Sequence, residues 1–176
     1  MDLYKIGIKV FAANPQAVDI HDFVPVFHGW IQQQKIDGHL LIDVHDYSHV
    51  ANGPGILLVA HEGNFSMDQD GGRLGLFYYR KRPLNGALEA NLKTVTDTAL
   101  QACKLLESEP KLNGIKFNTD EVLVMANDRL LAPNDATGRA RLEPVITRAL
   151  GKAKLAPQAA ADPRERLAFV VSRSVG

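Results

Sequence analysis

The chain has a single cysteine, Cys103, among 176 residues, which excludes an intrachain disulfide and every CxxC-type metal or redox motif. It also lacks net charge, because 20 Lys plus Arg balance 20 Asp plus Glu. A polyanion therefore meets no global attractive field, and general nucleic-acid binding is not expected. No apolar run reaches the length of a membrane span. The first residues, Met1-Asp2-Leu3-Tyr4-Lys5, lack the basic segment and apolar stretch of a secretory signal, so the expected compartment is the cytoplasm. No GxSxG elbow, HExxH pair, P-loop or dinucleotide fingerprint occurs, and no cofactor is implied.

What is present suits a globular domain. Hydrophobic residues at 45% with charged residues at 23% argue against a disordered chain, and this length buries about two thirds of the unfolded surface. Residues 39–82 carry the strongest pattern. Leu40, Ile42 and Val44 alternate with Leu41, Asp43 and His45, residues 56–60 are unbroken apolar, and residues 74–79 are aromatic and aliphatic. Asn52-Gly53-Pro54-Gly55 and Asp68-Gln69-Asp70-Gly71-Gly72 separate these runs with turn-forming residues. The pattern predicts three successive antiparallel strands over 40–46, 56–62 and 74–80, with Leu40, Ile42 and Val44 facing the core.

Elsewhere, residues 4–12 read as a strand closed by Asn14-Pro15. Ile20, Phe23, Val24, Phe27 and Ile31 make one stripe of a helix to about residue 34. Asp19 and Asp22 are alternative N-caps; the first puts Pro25 in the second turn and kinks the axis, the second leaves it harmless. Trp30 flanks that stripe as a core cap or a partner anchor. A long helix over 88–107 carries Leu92, Val95, Ala99, Cys103 and Leu106 on one side, predicting a core thiol and packing on the Leu40/Ile42/Val44 face. Residues 115–118 and 121–126 read as a hairpin around Thr119-Asp120, and Asn134 or Asp135 caps a third helix to residue 150. Residues 154–161 form an Ala/Pro-rich connector, and 167–171 a last strand.

These elements predict an α+β fold: a mainly antiparallel sheet containing a three-strand meander, with about three helices packed on one face. Residues 1–153 form one domain, and 154–176 add a connector and terminal strand packed on it. A faint strand-helix-strand repeat relates residues 6–46 to residues 122–171, with Pro25 and Pro144 at similar points of their helices.

Candidate chemistry lies on the polar face of the predicted meander. Asp43, His45 and His61, with His49 and Glu62 in reserve, form a candidate cluster whose ligand types suit zinc or another borderline divalent ion. No local metal motif supports it, so the expected metal content is none, and surface and edge histidines are the simpler reading. Ser48 and Ser66 stand near Asp43 and His61 in sequence without a nucleophile elbow. Ser66-x-Asp68-x-Asp70-Gly71 resembles a calcium loop only in part, with Phe77 where a Glu is needed, and reads as a hairpin turn. Tyr47, Phe65, Tyr78 and Tyr79 are candidate ligand-lining aromatics. The Tyr78-Tyr79-Arg80-Lys81-Arg82 run reads as a strand end with solvated charges.

The leading expectation is a non-catalytic cytoplasmic interaction or assembly module that self-associates or binds a protein partner, with no membrane and no general nucleic-acid binding. The alternatives are a metal-dependent hydrolase at the His/Asp cluster and a small-ligand-binding protein.

Overall fold

The computed structural model describes residues 3, 5–151, 153–158 and 162–173. Its strands are β1 (Ile6–Ala12), β2 (Leu41–Tyr47), β3 (Gly55–Ala60), β4 (Gly63–Asp68), β5 (Gly75–Arg80), β6 (Phe117–Ala126), β7 (Ala153–Pro157) and β8 (Leu167–Arg173). The helices are α1 (Phe23–Gln33), α2 (Leu88–Glu107) and α3 (Ala136–Leu150). All strands join one antiparallel sheet in the order β2-β3-β4-β5-β1-β6-β8-β7. The fold is α+β, with the helices on one face. No described helix is long and apolar enough to cross a membrane.

One core lies between helices and sheet. Ile8 and Val10 of β1, Leu76 and Tyr78 of β5, and Val122 and Val124 of β6 point into it against Phe23, Phe27, Leu92, Ala99 and Ile146. Trp30 is buried there, and its Nε1 donates to Glu109 Oε1 at 2.9 Å; it is a core residue, not an exposed anchor. Both candidate caps are engaged one turn before the helix, and Asp22 stands at its N-cap position without a side-chain cap hydrogen bond. Asp19 and Asp22 form a capping box around a 3-10 turn (Ile20–Asp22), and α1 follows directly with Pro25 as its third residue. In the first turn a proline removes no helical hydrogen bond.

The predicted meander contains a fourth strand. Gly63–Asp68 pairs with both β3 and β5, so the runs at 56–60 and 75–80 are not neighbours. The facing of β2 also differs from expectation. A bulge between Leu41 and Asp43 leaves Ile42 without a partner on β3 and reverses the alternation there. Leu41 is therefore buried at 3% exposure, whereas Leu40 and Ile42 are 57% and 52% exposed. Val44 still packs against the core. The helix on this end is α1, while α2 covers β1 and β5. Thr119-Asp120 is not a hairpin turn either: Val10 and Phe11 oppose Val122 and Asn118, so residues 119–121 are a bulge against β1 within one continuous strand, whose Glu121 pairs with Ser172 of β8.

The first half of the supposed connector is edge strand β7, which pairs only with β8 and tolerates Pro157 there. Residues 159–161 and Tyr4, the expected first residue of β1, lie outside the described residues. Each half of the sheet is a β-α-β-β unit: β1-α1-β4-β5 on one side of the central β1·β6 pair, β6-α3-β7-β8 on the other, with β2–β3 inserted in the first. The strand following α1 in this arrangement is β4, not β2 as the sequence comparison has it. The prolines do not correspond, since Pro25 is third in α1 and Pro144 ninth in α3.

Cys103 is buried at 2% exposure, and burial pushes its thiol well above its ordinary value. It should react with a thiol reagent at least about 100-fold faster in denaturant than in the native protein, because the thiolate is the reactive form and the core excludes the reagent. Equal rates would place Cys103 outside the core.

Candidate functional site

The sheet face opposite the helices is not bare. Phe11 of β1, Phe77 of β5, Leu123 and Met125 of β6 and Ala168 of β8 form a second apolar cluster there, all buried. A flat sheet would hold β3 and β7 about 29 Å apart, at six spacings of about 4.8 Å. Yet Gly53 and Pro54, just before β3, and Gln158, just after β7, line one cavity of about 280 Å³ together with Phe11, Phe77, Leu123 and Met125 of this cluster. The face is therefore a trough whose ends fold over its floor.

At the centre of the trough lies a buried ion pair. Lys9 of β1 and Asp68 of β4 are 3% and 5% exposed, and Lys9 Nζ lies 2.5 Å from Asp68 Oδ1. The strands that carry them are separated by β5. Lys9 spans that gap by lying across Gly75, where an added Cβ would fall 2.9 Å from Lys9 Cε and 2.7 Å from the Val10 carbonyl oxygen. Only glycine leaves the path open. Nζ also donates to the Asp70 carbonyl at 3.1 Å, Asp68 Oδ1 accepts from Asp70 N at 3.0 Å, and Ser66 Oγ donates to Asp68 Oδ2 at 3.4 Å. Burial raises the Asp68 carboxyl above its ordinary value against the pull of Lys9.

The other charged lining residues also cancel, with Arg166 Nη2 lying 3.7 Å from Asp70 Oδ2. Around them stand the carboxamides of Asn52, Asn127 and Gln158 and the aromatic ring of Tyr79, whose hydroxyl accepts from Asn64 Nδ2 at 2.8 Å. The trough thus offers an apolar floor, a neutralised ionic centre and polar groups able both to donate and to accept.

The residues singled out in the sequence scatter around this site. Asp43 and His45 are together on the outward side of β2, 3.5 Å apart. His49 lies in the following turn and His61 between β3 and β4, both exposed. Partial burial works to raise the Glu62 carboxyl, but the 2.8 Å hydrogen bond from Leu40 N and the nearby His39 and His61 bring it below its ordinary value. Among the described residues, no group of three or more His, Cys, Asp or Glu is placed to hold a metal ion. The aromatics divide between the faces. Phe65 and Tyr78 are buried on the helix side, stacked 4.5 Å apart, while Tyr79 points into the trough. Tyr47 lines an adjoining cavity of about 300 Å³ that shares Asn52, Gly53 and Asp70 with the trough. The four do not share a pocket.

A Ser-His-Asp constellation does form beside that second cavity, from residues far apart in sequence. His21 Nδ1 lies 2.7 Å from Asp19 Oδ1 and Nε2 lies 3.0 Å from Ser48 Oγ. The Ser48 hydroxyl, however, donates to Asp46 Oδ1 at 2.6 Å. A carboxylate can only accept, so the Ser48 hydroxyl points its proton at Asp46, and both ring nitrogens of His21 are placed to donate. The group is an imidazolium clamp between carboxylates and not a general base. The hydrogen bond to Asp19 raises His21 above its ordinary value. His39 is the opposite case: burial lowers it, and its Nε2 shares a 2.7 Å hydrogen bond with the Tyr78 hydroxyl.

An NMR titration of the imidazoles should therefore place His21 above and His39 below about 6.5. The consequences for stability have opposite signs. The His21 contribution is complete below about 6.5 and fades as pH rises through its higher folded value. The His39 contribution is complete above about 6.5 and is lost as pH falls toward its lower folded value, at no more than about 1.4 kcal/mol per pH unit. The reverse order of the two titrations would refute the clamp.

No family model matches the chain. Neither a curated protein nor a solved structure matches it.

Sequence reading missed Lys9, Ser66 and Asp68 as site residues. The signal was available in Asn64-Phe65-Ser66-Met67-Asp68, where polar and apolar residues alternate strictly. Three polar residues in five read as loop because alternation normally sends the polar set to water, whereas here both faces of β4 are buried.

Proposed function

We propose that this protein binds a small organic ligand in the trough formed by β1, β4, β5 and β6. The observation that carries the reading is the buried Lys9–Asp68 pair beside an apolar floor and a cavity of about 280 Å³. A buried pair is often no more stabilising than a well-packed apolar one, so its presence in a concave site with convergent polar groups supports a binding role. The lone buried thiol suits a reducing compartment, and the proposal keeps the cytoplasm as the place of action.

The test is a fragment library screened by amide chemical-shift perturbation. Hits should shift the amides of Lys9, Tyr79, Leu123 and Asn127 saturably. A library that leaves these amides unmoved would sink the proposal.

A second reading, self-association or a protein partner, has its own support in the exposed Leu40, just before edge strand β2, and Ile42 within it. The bulge and the neighbouring Asp43, His45 and Asp46 are features that discourage strand addition at an edge. Sedimentation of the wild type against Leu40→Ser/Ile42→Ser discriminates: a dimer that the double variant abolishes favours assembly, and a monomer in both favours the trough.

A further inference from the structure

The floor of the trough is laid out in rows across β4, β5, β1 and β6. Asp68, Gly75 and Phe11 are paired in one row, Ser66, Phe77, Lys9 and Leu123 in the next, and Asn64, Tyr79, Gly7 and Met125 in the third. Gly75 and Tyr79 lie four residues apart on one face of β5, a run of about 13 Å. Both glycines are overlaid from the middle row. Lys9 crosses Gly75, and the Phe77 ring covers Gly7, where an added Cβ would collide with it. The ionic centre is thereby drawn to one end of the run and the aromatic surface to the other. Phe77 and Tyr79, with ring centroids 5.7 Å apart, supply that surface, whereas the Arg73 guanidinium already stacks 3.6 Å from the centroid of the Phe11 ring.

The hydrogen-bonding capacity left in this space is chiefly that of donors. Lys9 Nζ carries three protons and uses two, on Asp68 Oδ1 and the Asp70 carbonyl. The Tyr79 hydroxyl accepts from Asn64 Nδ2, and its own proton has no acceptor among the described residues. Both carboxylates are engaged, Asp68 by Lys9, Ser66 and the Asp70 N–H, and Asp70 by Arg166. These two cations and two acids are all the charged residues of the lining, so its formal charges sum to zero. An anion would be brought beside two carboxylates, and a cation would find both already paired. Either ion would lose its water without a partner of its own, whereas an uncharged carbonyl can accept from the free donors.

We infer that the ligand is an uncharged aromatic compound bearing a carbonyl of the amide or lactam type, with its ring against Phe77 and its carbonyl accepting from the Tyr79 hydroxyl. This rests on the ligand-binding reading above and specifies the class of ligand. The volume of the trough is that of about nine waters at about 30 Å³ each, which suits a one- or two-ring body. An aromatic ring gains from offset or edge contact with Phe77 beyond the area it buries. The Asn127 carboxamide lines the Tyr79 end and has no side-chain partner among the described residues, so its oxygen is available to the N–H of an amide or lactam.

Four probes on one ring system test the inference: 2-naphthamide, 2-naphthoate, 2-naphthylmethylammonium and 2-isopropenylnaphthalene, titrated by chemical-shift perturbation at the amides of Lys9, Tyr79, Leu123 and Asn127. On the wild type the amide should bind at least about ten-fold more tightly than either ion. Added salt should leave its affinity unchanged, because it brings no net charge to be screened. The isopropenyl compound keeps the shape of the amide and lacks the acceptor. Tyr79→Phe should therefore weaken the amide by about three- to ten-fold relative to the isopropenyl compound, whose own saturable shifts show that the trough of the variant is still formed. Equal losses for these two probes overturn the carbonyl assignment, and an ion that binds the wild type as tightly as the amide overturns the uncharged one, while the ligand-binding reading stands. If none of the four binds, the hits of a broad library decide: uncharged carbonyl compounds support the inference and ions overturn it. A library that also leaves those amides unmoved removes the ligand-binding reading as well.

Discussion

Lys9→Met should destabilise the fold by about 3–5 kcal/mol at neutral pH, the magnitude expected when one member of a buried pair is left without its partner. The variant leaves the Asp68 carboxylate in a site that is 5% exposed, held only by Ser66 Oγ and Asp70 N. Its pH dependence gives the sign. Burial already raises Asp68 in the folded state, so over the window above its unfolded value of about 3.9 the folded protein binds more protons than the unfolded. Stability there falls as pH rises. Without Lys9 the folded value moves further up, so the loss is largest above it and shrinks as acid protonates the buried group. Asp68→Leu should show a loss of similar size, because an unpaired ammonium remains. Lys9→Met/Asp68→Leu removes both charges and should recover most of the stability in urea denaturation. If the double variant were as unstable as the two single losses summed, the pair would not be what the single variants break.

Gly55→Ala should cost about 3 kcal/mol or more. Gly55 has φ of +61°, and a Cβ there would fall 2.0 Å from the Met67 carbonyl oxygen on β4. The left-handed conformation alone costs a non-glycine residue about 1–3 kcal/mol, and the clash forces the two strands apart in addition. The start of β3 follows the 52–54 turn that lines the trough, so the variant should also weaken binding there. Gly38→Ala is the control. Gly38 has a similar φ of +71° but nothing within 4 Å of its added Cβ, and should lose only about 1 kcal/mol. Equal midpoints for the two variants in chemical denaturation would show that the close approach to Met67 is not limiting.

Elements whose pattern reports a single partner were legible in sequence. The helix over 88–107 is found with the same ends, since Leu92, Val95, Ala99 and Leu106 need only one apolar neighbour, whichever strand supplies it. Which strand that is was not legible: α2 lies over β1 and β5, and nothing in its own stripe distinguishes them from β2. The inward side of β3 was open in sequence, because Ile56-Leu57-Leu58-Val59-Ala60 is apolar at every position. The register with β4 resolves it, pairing Leu58 with Phe65 on the core side and Leu57 with Ser66 on the trough side. In β2 a single unpaired residue exchanged the faces of Leu41 and Ile42, and a bulge of one residue leaves no mark on a period-two pattern.

By itself, the sequence determined the class of fold, the ends of its longest helix, the core position of Cys103 and the absence of any overall charge, because each depends on local period or on composition. The trough was decided only by tertiary structure. Lys9, Asp68 and Gly75 lie on three different strands and acquire a common chemistry only when β5 is placed between β1 and β4. Strand order and register bring distant residues within a few ångströms, and that proximity sets which charges cancel.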